Sequence, residues 1–140
     1  MRHLAWALVS LGLLVAAPNA VEAQEQGASK VQLHRNYPNP FNPETTIPFS
    51  LDASMWDNGR QPVVSLRIYN VLAQLVAIPI LQGSGEPLAN VRLQFNGTGQ
   101  FSAYWDGKIL GTDREAASGV YVYQLIVDGH AFTKKMTIVK

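Results

Sequence analysis

Apolar and polar residues alternate one by one through most of this chain, and that period rules out a helical fold. Thr45-Thr46-Ile47-Pro48-Phe49-Ser50-Leu51 puts Ile47, Phe49 and Leu51 on one face. Pro48 has no N–H to give to a ladder, so this strand is expected at a sheet edge or with a bulge. From Val63 to Tyr69, Val64, Leu66 and Ile68 point one way while Ser65 and Arg67 point the other. Leu75 to Leu81 is a nearly continuous apolar run broken by Pro79. The alternation returns at Val91-Leu93-Phe95, at Phe101-Ala103-Trp105 and at Tyr121-Tyr123-Leu125-Val127. It ends with Phe132, Met136 and Ile138 set against Thr133, Lys135 and Thr137. Turn signals punctuate these runs: Asp57-Asn58-Gly59, Gly83-Ser84-Gly85, Asn96-Gly97-Thr98-Gly99, Asp106-Gly107 and Asp128-Gly129. Asp-Gly between two alternating runs marks a tight hairpin, because both residues tolerate positive φ. Val120–Val127 and Phe132–Val139 are therefore expected to pair antiparallel around Asp128-Gly129-His130. Short strands with frequent turns, about seven of them, predict an all-β antiparallel sandwich. Helix is limited to one turn near Arg114-Glu115-Ala116-Ala117.

The first residues belong to a different problem. Met1-Arg2-His3 is basic, Leu4 to Ala17 carries no charge, and Val21-Glu22-Ala23 places small residues before Gln24. That pattern is a secretory signal peptide with cleavage between Ala23 and Gln24. Its apolar run falls short of the roughly 20 residues a spanning helix needs. Residues 1–23 are thus read as signal peptide, 24–34 as a flexible leader and 35–140 as one domain. No other apolar stretch is long enough to cross a bilayer, so no transmembrane span is expected in the mature chain.

Composition narrows the functional classes. The formal net charge is +1 and charged residues make up 15% of the chain, too few for the clustered Lys and Arg that nucleic acid demands. Apolar residues make up 47%, which excludes a disordered chain. There is no Cys, so neither a disulfide nor a thiol nucleophile is available, and the core alone must hold the fold.

The search for chemistry yields little. His3 leaves with the signal peptide, His34 lies in the leader, and His130 falls in the predicted hairpin turn. No arrangement of nucleophile, His and acid is visible. Gly83-Ser84-Gly85 lacks the spacing of a phosphate loop. Asp106, Asp113 and Glu115 share one loop, but a calcium ion wants six or more oxygens, and an Asx turn at Asp106 is the simpler reading. Trp105, Tyr121 and Tyr123 are candidates for a sugar-stacking platform; their period of two favours core packing instead. Neither a catalytic residue, a cofactor nor a metal is assigned, and the chain is expected not to be an enzyme.

Three segments carry a further signal. The first is Tyr37-Pro38-Asn39-Pro40-Phe41-Asn42-Pro43-Glu44-Thr45-Thr46-Ile47-Pro48-Phe49. Its prolines fix φ and stiffen the lead-in to the first long strand, Asn39 and Asn42 are placed to close Asx turns, and Tyr37 and Phe41 are apolar pegs. The second runs from Leu66 through Tyr69-Asn70 to Val76. The third joins Trp105-Asp106-Gly107 to Ala117-Ser118-Gly119-Val120-Tyr121-Val122-Tyr123. In this order they resemble the C-terminal sorting domain of type IX secretion systems and the related immunoglobulin-like domain of the flagellar hook-capping protein. The resemblance spans roughly residues 35–140. The last strand, Lys134-Lys135-Met136-Thr137-Ile138-Val139-Lys140, fits the sorting family as well. At Ala73 the family usually carries Gly, and Ala53–Pro62 and Gln82–Gly99 are longer than its usual loops.

The resemblance implies an immunoglobulin-like fold and a role in export to the outer cell surface or the medium by way of the periplasm. The implied partners are an outer-membrane secretion machinery and a sortase-like surface protease. Lys134, Lys135 and Lys140 then either guard an edge strand from pairing or form part of the recognition surface. The alternatives are a structural assembly domain working through β-edge contacts and a carbohydrate-binding sandwich.

Overall fold

The computed structural model describes residues 30–140. The expected signal peptide and the expected Ala23–Gln24 cleavage point lie outside the described residues. Strands dominate: β1 (Val31–Leu33), β2 (Thr45–Leu51), β3 (Val63–Tyr69), β4 (Leu75–Ala77), β5 (Ile80–Leu81), β6 (Val91–Arg92), β7 (Gln100–Trp105), β8 (Gly119–Val127) and β9 (His130–Ile138). They form two antiparallel sheets. One has the order β1-β2-β7-β5, and the other β4-β3-β8-β9 with β6 added to β3.

The alternation read from the sequence decides the core. Ile47, Phe49, Val64, Leu66, Ile68, Ala103, Tyr123 and Leu125 are all wholly buried, and one apolar cluster draws on both sheets. The expected hairpin forms with Val127 opposite His130, so the turn is Asp128-Gly129 alone, both at positive φ. Asp128 also accepts a hydrogen bond from the Val63 N–H at 2.9 Å, tying the turn to the start of β3.

Several expectations are corrected. Val31–Leu33 lies within the stretch read as a flexible leader, yet Val31 and Leu33 are buried in β1. Two apolar residues around Gln32 are too short a run for periodicity to register. Pro48 lies in an interior strand, since β2 is flanked by β1 and β7. Leu75 to Leu81 is two strands in different sheets, with β4 on β3 and β5 on β7. Pro79, at the crossing between them, has no N–H to lose there. Ser65, assigned to the solvent side, is buried because Asn90 covers it: its hydroxyl accepts from the Asn90 N–H at 2.8 Å. A short 3-10 segment, Ala53–Gly59, kinked where Asp57 and Asn58 leave helical geometry, occupies a stretch where the sequence predicts no helix; Asp52 caps it by accepting from the Ser54 N–H.

Candidate functional site

The proline-rich segment crosses between the two sheets. At its start, Tyr37 pairs through its backbone with Thr46, the two N–H···O bonds both 2.9 Å. Four residues later the segment reaches β9. The Phe41 N–H donates to the Thr137 carbonyl at 3.0 Å, and the Val139 N–H returns a bond to the Phe41 carbonyl at 3.1 Å. Asn39 does not close a turn on its own backbone. Its Oδ1 instead accepts from the Thr137 N–H at 3.2 Å, because that amide lies on the outer edge of β9 with no strand beyond it. Of the two expected pegs, Phe41 is buried while Tyr37 is exposed. Pro38, Pro40, Asn42 and Pro43 are at the surface, and the bonds preceding Pro38, Pro40 and Pro43 are cis.

Pro48 explains where β1 stops. His34 N–H donates to the Pro48 carbonyl at 3.0 Å, but Pro48 has no N–H to return to the His34 carbonyl. Tyr123, reaching across from β8, supplies the missing donor: its hydroxyl gives a 2.8 Å bond to that carbonyl. The same hydroxyl accepts from the Asn36 N–H at 3.1 Å. Asn36 is buried, and its Nδ2 donates to Thr45 Oγ1 at 3.1 Å and to the Pro38 carbonyl at 3.3 Å. Burial raises the Tyr123 pKa above its ordinary 10.0, against opposing effects of the Asn36 bond and of Arg35. A phenol held in this way is a structural strut, and its protonated form is the one the site stabilises.

The third motif packs beside the first. Trp105 meets Phe41 edge-on at 5.6 Å and Tyr121 edge-on at 6.0 Å, a geometry aromatic rings favour. Its indole N–H donates to the Lys108 carbonyl at 2.9 Å. Asp106 forms the expected Asx turn, accepting from the Lys108 N–H at 2.9 Å. Gly107 has φ +85°, and a Cβ there would lie 2.0 Å from the Pro43 carbonyl oxygen. The glycine thus lets the proline-rich segment and the Trp105 turn touch. The Tyr121 hydroxyl donates back to the Ala117 carbonyl at 2.7 Å, two residues before Gly119 opens β8. With Trp105, Tyr121 and Tyr123 all buried, these rings offer no open face on which a sugar could stack.

The remaining motif residues are dispersed. Tyr69 closes β3, and Asn70 organises the turn after it, its Oδ1 accepting from the N–H groups of Leu72 and Gln74, both at 3.0 Å. Ala73 has φ +62°, a conformation that suits glycine. Lys134 and Lys135 are exposed on the edge strand β9, opposite Tyr123 and Val122. Lys140 is not part of that pair: its Nζ lies 3.3 Å from Glu115. Among the described residues no group of three or more His, Cys, Asp or Glu is placed to hold a metal, and no helix is long and apolar enough to cross a membrane.

Two features escaped the sequence reading. One is the buried Asn36–Thr45 pair, because period two carries no signal for two polar residues that leave solvent to bond each other. The other is Trp56, which joins the two long loops: its indole N–H donates to the Leu93 carbonyl at 2.9 Å, and its ring lies 5.0 Å from Phe95 and 6.1 Å from Phe101. An aromatic inside a stretch rich in turn residues was the available signal.

No protein-family model matches the chain, and no curated protein matches it. Among solved structures, it is similar to the alkylpurine DNA glycosylase AlkC of Pseudomonas fluorescens bound to DNA containing an abasic site analogue. That similarity has 16% identity and a TM-score of 0.47, and covers 79% of this chain and 31% of the other. The chain thus spans about a third of that protein's length. The expectation that the chain is not an enzyme is corrected: the structural neighbour is an enzyme. The likeness is too slight to bring that enzyme's activity to this chain.

Proposed function

We propose that residues 31–140 form an immunoglobulin-like β-sandwich that serves as a sorting and surface-attachment module, exported behind the signal peptide of residues 1–23. The sheet order supports the fold: β1-β2-β7-β5 against β4-β3-β8-β9 corresponds to the A-B-E-D and C′-C-F-G sheets of immunoglobulin domains. The Tyr121 hydroxyl, bonded to the carbonyl four residues upstream at the start of β8, matches the tyrosine corner of that fold.

The observation that carries the functional reading is the convergence of the motif segments on the C-terminal strand. Asn39 and Phe41 bond to β9, Phe41 packs on Trp105, Trp105 packs on Tyr121, and Gly107 backs onto Pro43. Residues far apart in the chain thus hold one strand and its edge in place. In this reading β9, with Lys134 and Lys135, is what an outer-membrane secretion machinery recognises, and a sortase-like surface protease acts afterwards.

The test is the location and intact mass of the chain in its native host, for the wild type and for Lys134→Glu/Lys135→Glu. Both lysines are exposed, so the fold should survive, as circular dichroism would verify. The expected result is wild-type chain at the surface or in the medium, trimmed at its C-terminus or carrying a large added mass, and the variant retained in the periplasm. A full-length wild-type chain 24–140 held in the periplasm sinks the reading, and so does normal delivery of the folded variant.

A further inference from the structure

The outer edge of β9 is half used. Thr137 and Val139 spend their outward backbone groups on Asn39 and Phe41. By the alternation of an antiparallel ladder, Ala131, Thr133 and Lys135 aim their N–H and C=O groups in the same outward direction. No strand lies beyond β9 in its sheet, and among the described residues none of these three has a backbone partner on that side. Phe41 pairs with this edge in the parallel sense, so the edge is geometrically able to take another extended segment.

Charge says what kind of segment. Residues 31–43 and 129–140 contain no Asp or Glu. Lys134 and Lys135 point to opposite faces of β9, Lys134 on the Tyr123 side and Lys135 on the Val122 side. Arg35 is exposed and near enough to Tyr123 to act on it electrostatically, which adds a second cation on the side of the sheet that carries Lys134. Acids that flank these stretches or lie opposite their end are engaged: Asp128 with the Val63 N–H, Glu44 with the Tyr104 hydroxyl, and Glu115 with Lys140. A second copy of β9 laid against this edge would bring lysine toward lysine, which charged edges use to prevent self-pairing. An acidic strand meets the opposite condition, with complementary charge on both faces of the added strand.

We propose that the free edge of β9 from Ala131 to Lys135 takes up an extended acidic segment of a partner protein by strand addition, with the lysines excluding a second copy of this chain. This deepens the reading of β9 as the recognition element and rests on it. Main-chain bonds supply the attachment and side-chain charge the selectivity.

The purified chain is titrated with a short blocked peptide alternating valine and glutamate, and with its lysine counterpart. Anisotropy reads affinity, and amide-resolved hydrogen exchange reads position. The glutamate peptide is expected to bind at least about tenfold more tightly, weakening as salt rises. It should slow exchange at Ala131, Thr133 and Lys135, while their neighbours Phe132 and Lys134, already bonded to β8, change little. In folded Lys134→Glu/Lys135→Glu the preference should invert to the lysine peptide. Equal affinity for the two peptides overturns the proposal, as does protection that falls elsewhere, or a preference that survives charge reversal. Delivery in the host is a separate readout. Peptide binding without delivery defeats the sorting reading alone, and delivery without peptide binding defeats this inference alone.

Discussion

Tyr123→Phe tests the strut that joins the two sheets. The ring stays, so its packing in the core is retained; only the hydroxyl goes. Two backbone groups then lose their partner: the Asn36 N–H, in a residue 2% exposed, and the His34 carbonyl, in a residue only half-buried. An unsatisfied buried polar group costs about 1–3 kcal/mol, and a group that water can reach costs less. The sum comes to about 2–3 kcal/mol, most of it from Asn36. Tyr121→Phe removes one bond to the carbonyl of the exposed Ala117 and should cost about 1 kcal/mol or less.

The same strut makes a sharper claim about Pro48. Tyr123 is needed at the His34 carbonyl because Pro48 cannot donate to it. Pro48→Thr restores an N–H aimed at that carbonyl. In the wild-type background the new donor competes with the phenol; in Tyr123→Phe it fills the vacancy. The unfolded-state cost of losing proline appears in both backgrounds and cancels in a double-mutant cycle. The expected coupling is about 1 kcal/mol, with Pro48→Thr less harmful in Tyr123→Phe than in the wild type. Urea unfolding at neutral pH supplies all four stabilities. The reasoning is refuted if Tyr123→Phe costs no more than Tyr121→Phe, or if Pro48→Thr has the same effect in both backgrounds.

Alkaline pH gives an independent check on that strut. Burial raises Tyr123 and Tyr121 above 10.0, and a bond with Glu44 raises Tyr104. A raised phenol holds its proton more tightly folded than unfolded, so its contribution is complete below pH 10 and fades as pH climbs through the folded value. The stability gap between wild type and Tyr123→Phe should therefore narrow above pH 10; a constant gap would count against burial as the cause. Gly107→Ala should cost about 2–4 kcal/mol, since a Cβ meets the Pro43 carbonyl and φ is left-handed; a change under about 0.5 kcal/mol in thermal or urea unfolding means the two segments separate freely. Ala73→Gly, at φ +62°, should stabilise by about 0.5–1 kcal/mol, the left-handed penalty less the added unfolded-state entropy, seen as a higher urea midpoint. Trp56→Ala should cost about 2–3 kcal/mol, because a half-buried ring and its indole bond are lost together, and should loosen both long loops to limited proteolysis.

Period two was enough to find the strands that are long and have one buried face. Val64, Leu66 and Ile68 in β3, and Tyr121, Tyr123, Leu125 and Val127 in β8, are inward as their spacing demands. The Asp128-Gly129 hairpin followed from turn chemistry alone. What periodicity lacks is any record of which strand lies next to which. That is why Pro48 misled: proline argues for an edge only if its missing N–H has no substitute, and the substitute is a tyrosine 75 positions later in the chain. The same gap hid β1 and the split of Leu75–Leu81 between two sheets.

The motif residues show the limit from the other side. Their positions were legible, but their character as chemistry was not, because the rings at Trp105, Tyr121 and Tyr123 spend their polar atoms on backbone carbonyls. Each of those carbonyls belongs to a turn or a strand end that the ladders leave unserved. Asn39 does the same for a β9 amide. A sequence pattern that supplies donors and acceptors at strand ends, with a glycine where two segments touch, constrains the placement of the C-terminal hairpin more tightly than a run of apolar residues would. Apolar packing tolerates small slips, whereas a directional bond to one named carbonyl does not. The outward backbone groups of Ala131, Thr133 and Lys135 carry no such bonds, so they are the ones the proposed strand addition would use, and the two lysines stand on either face of that stretch.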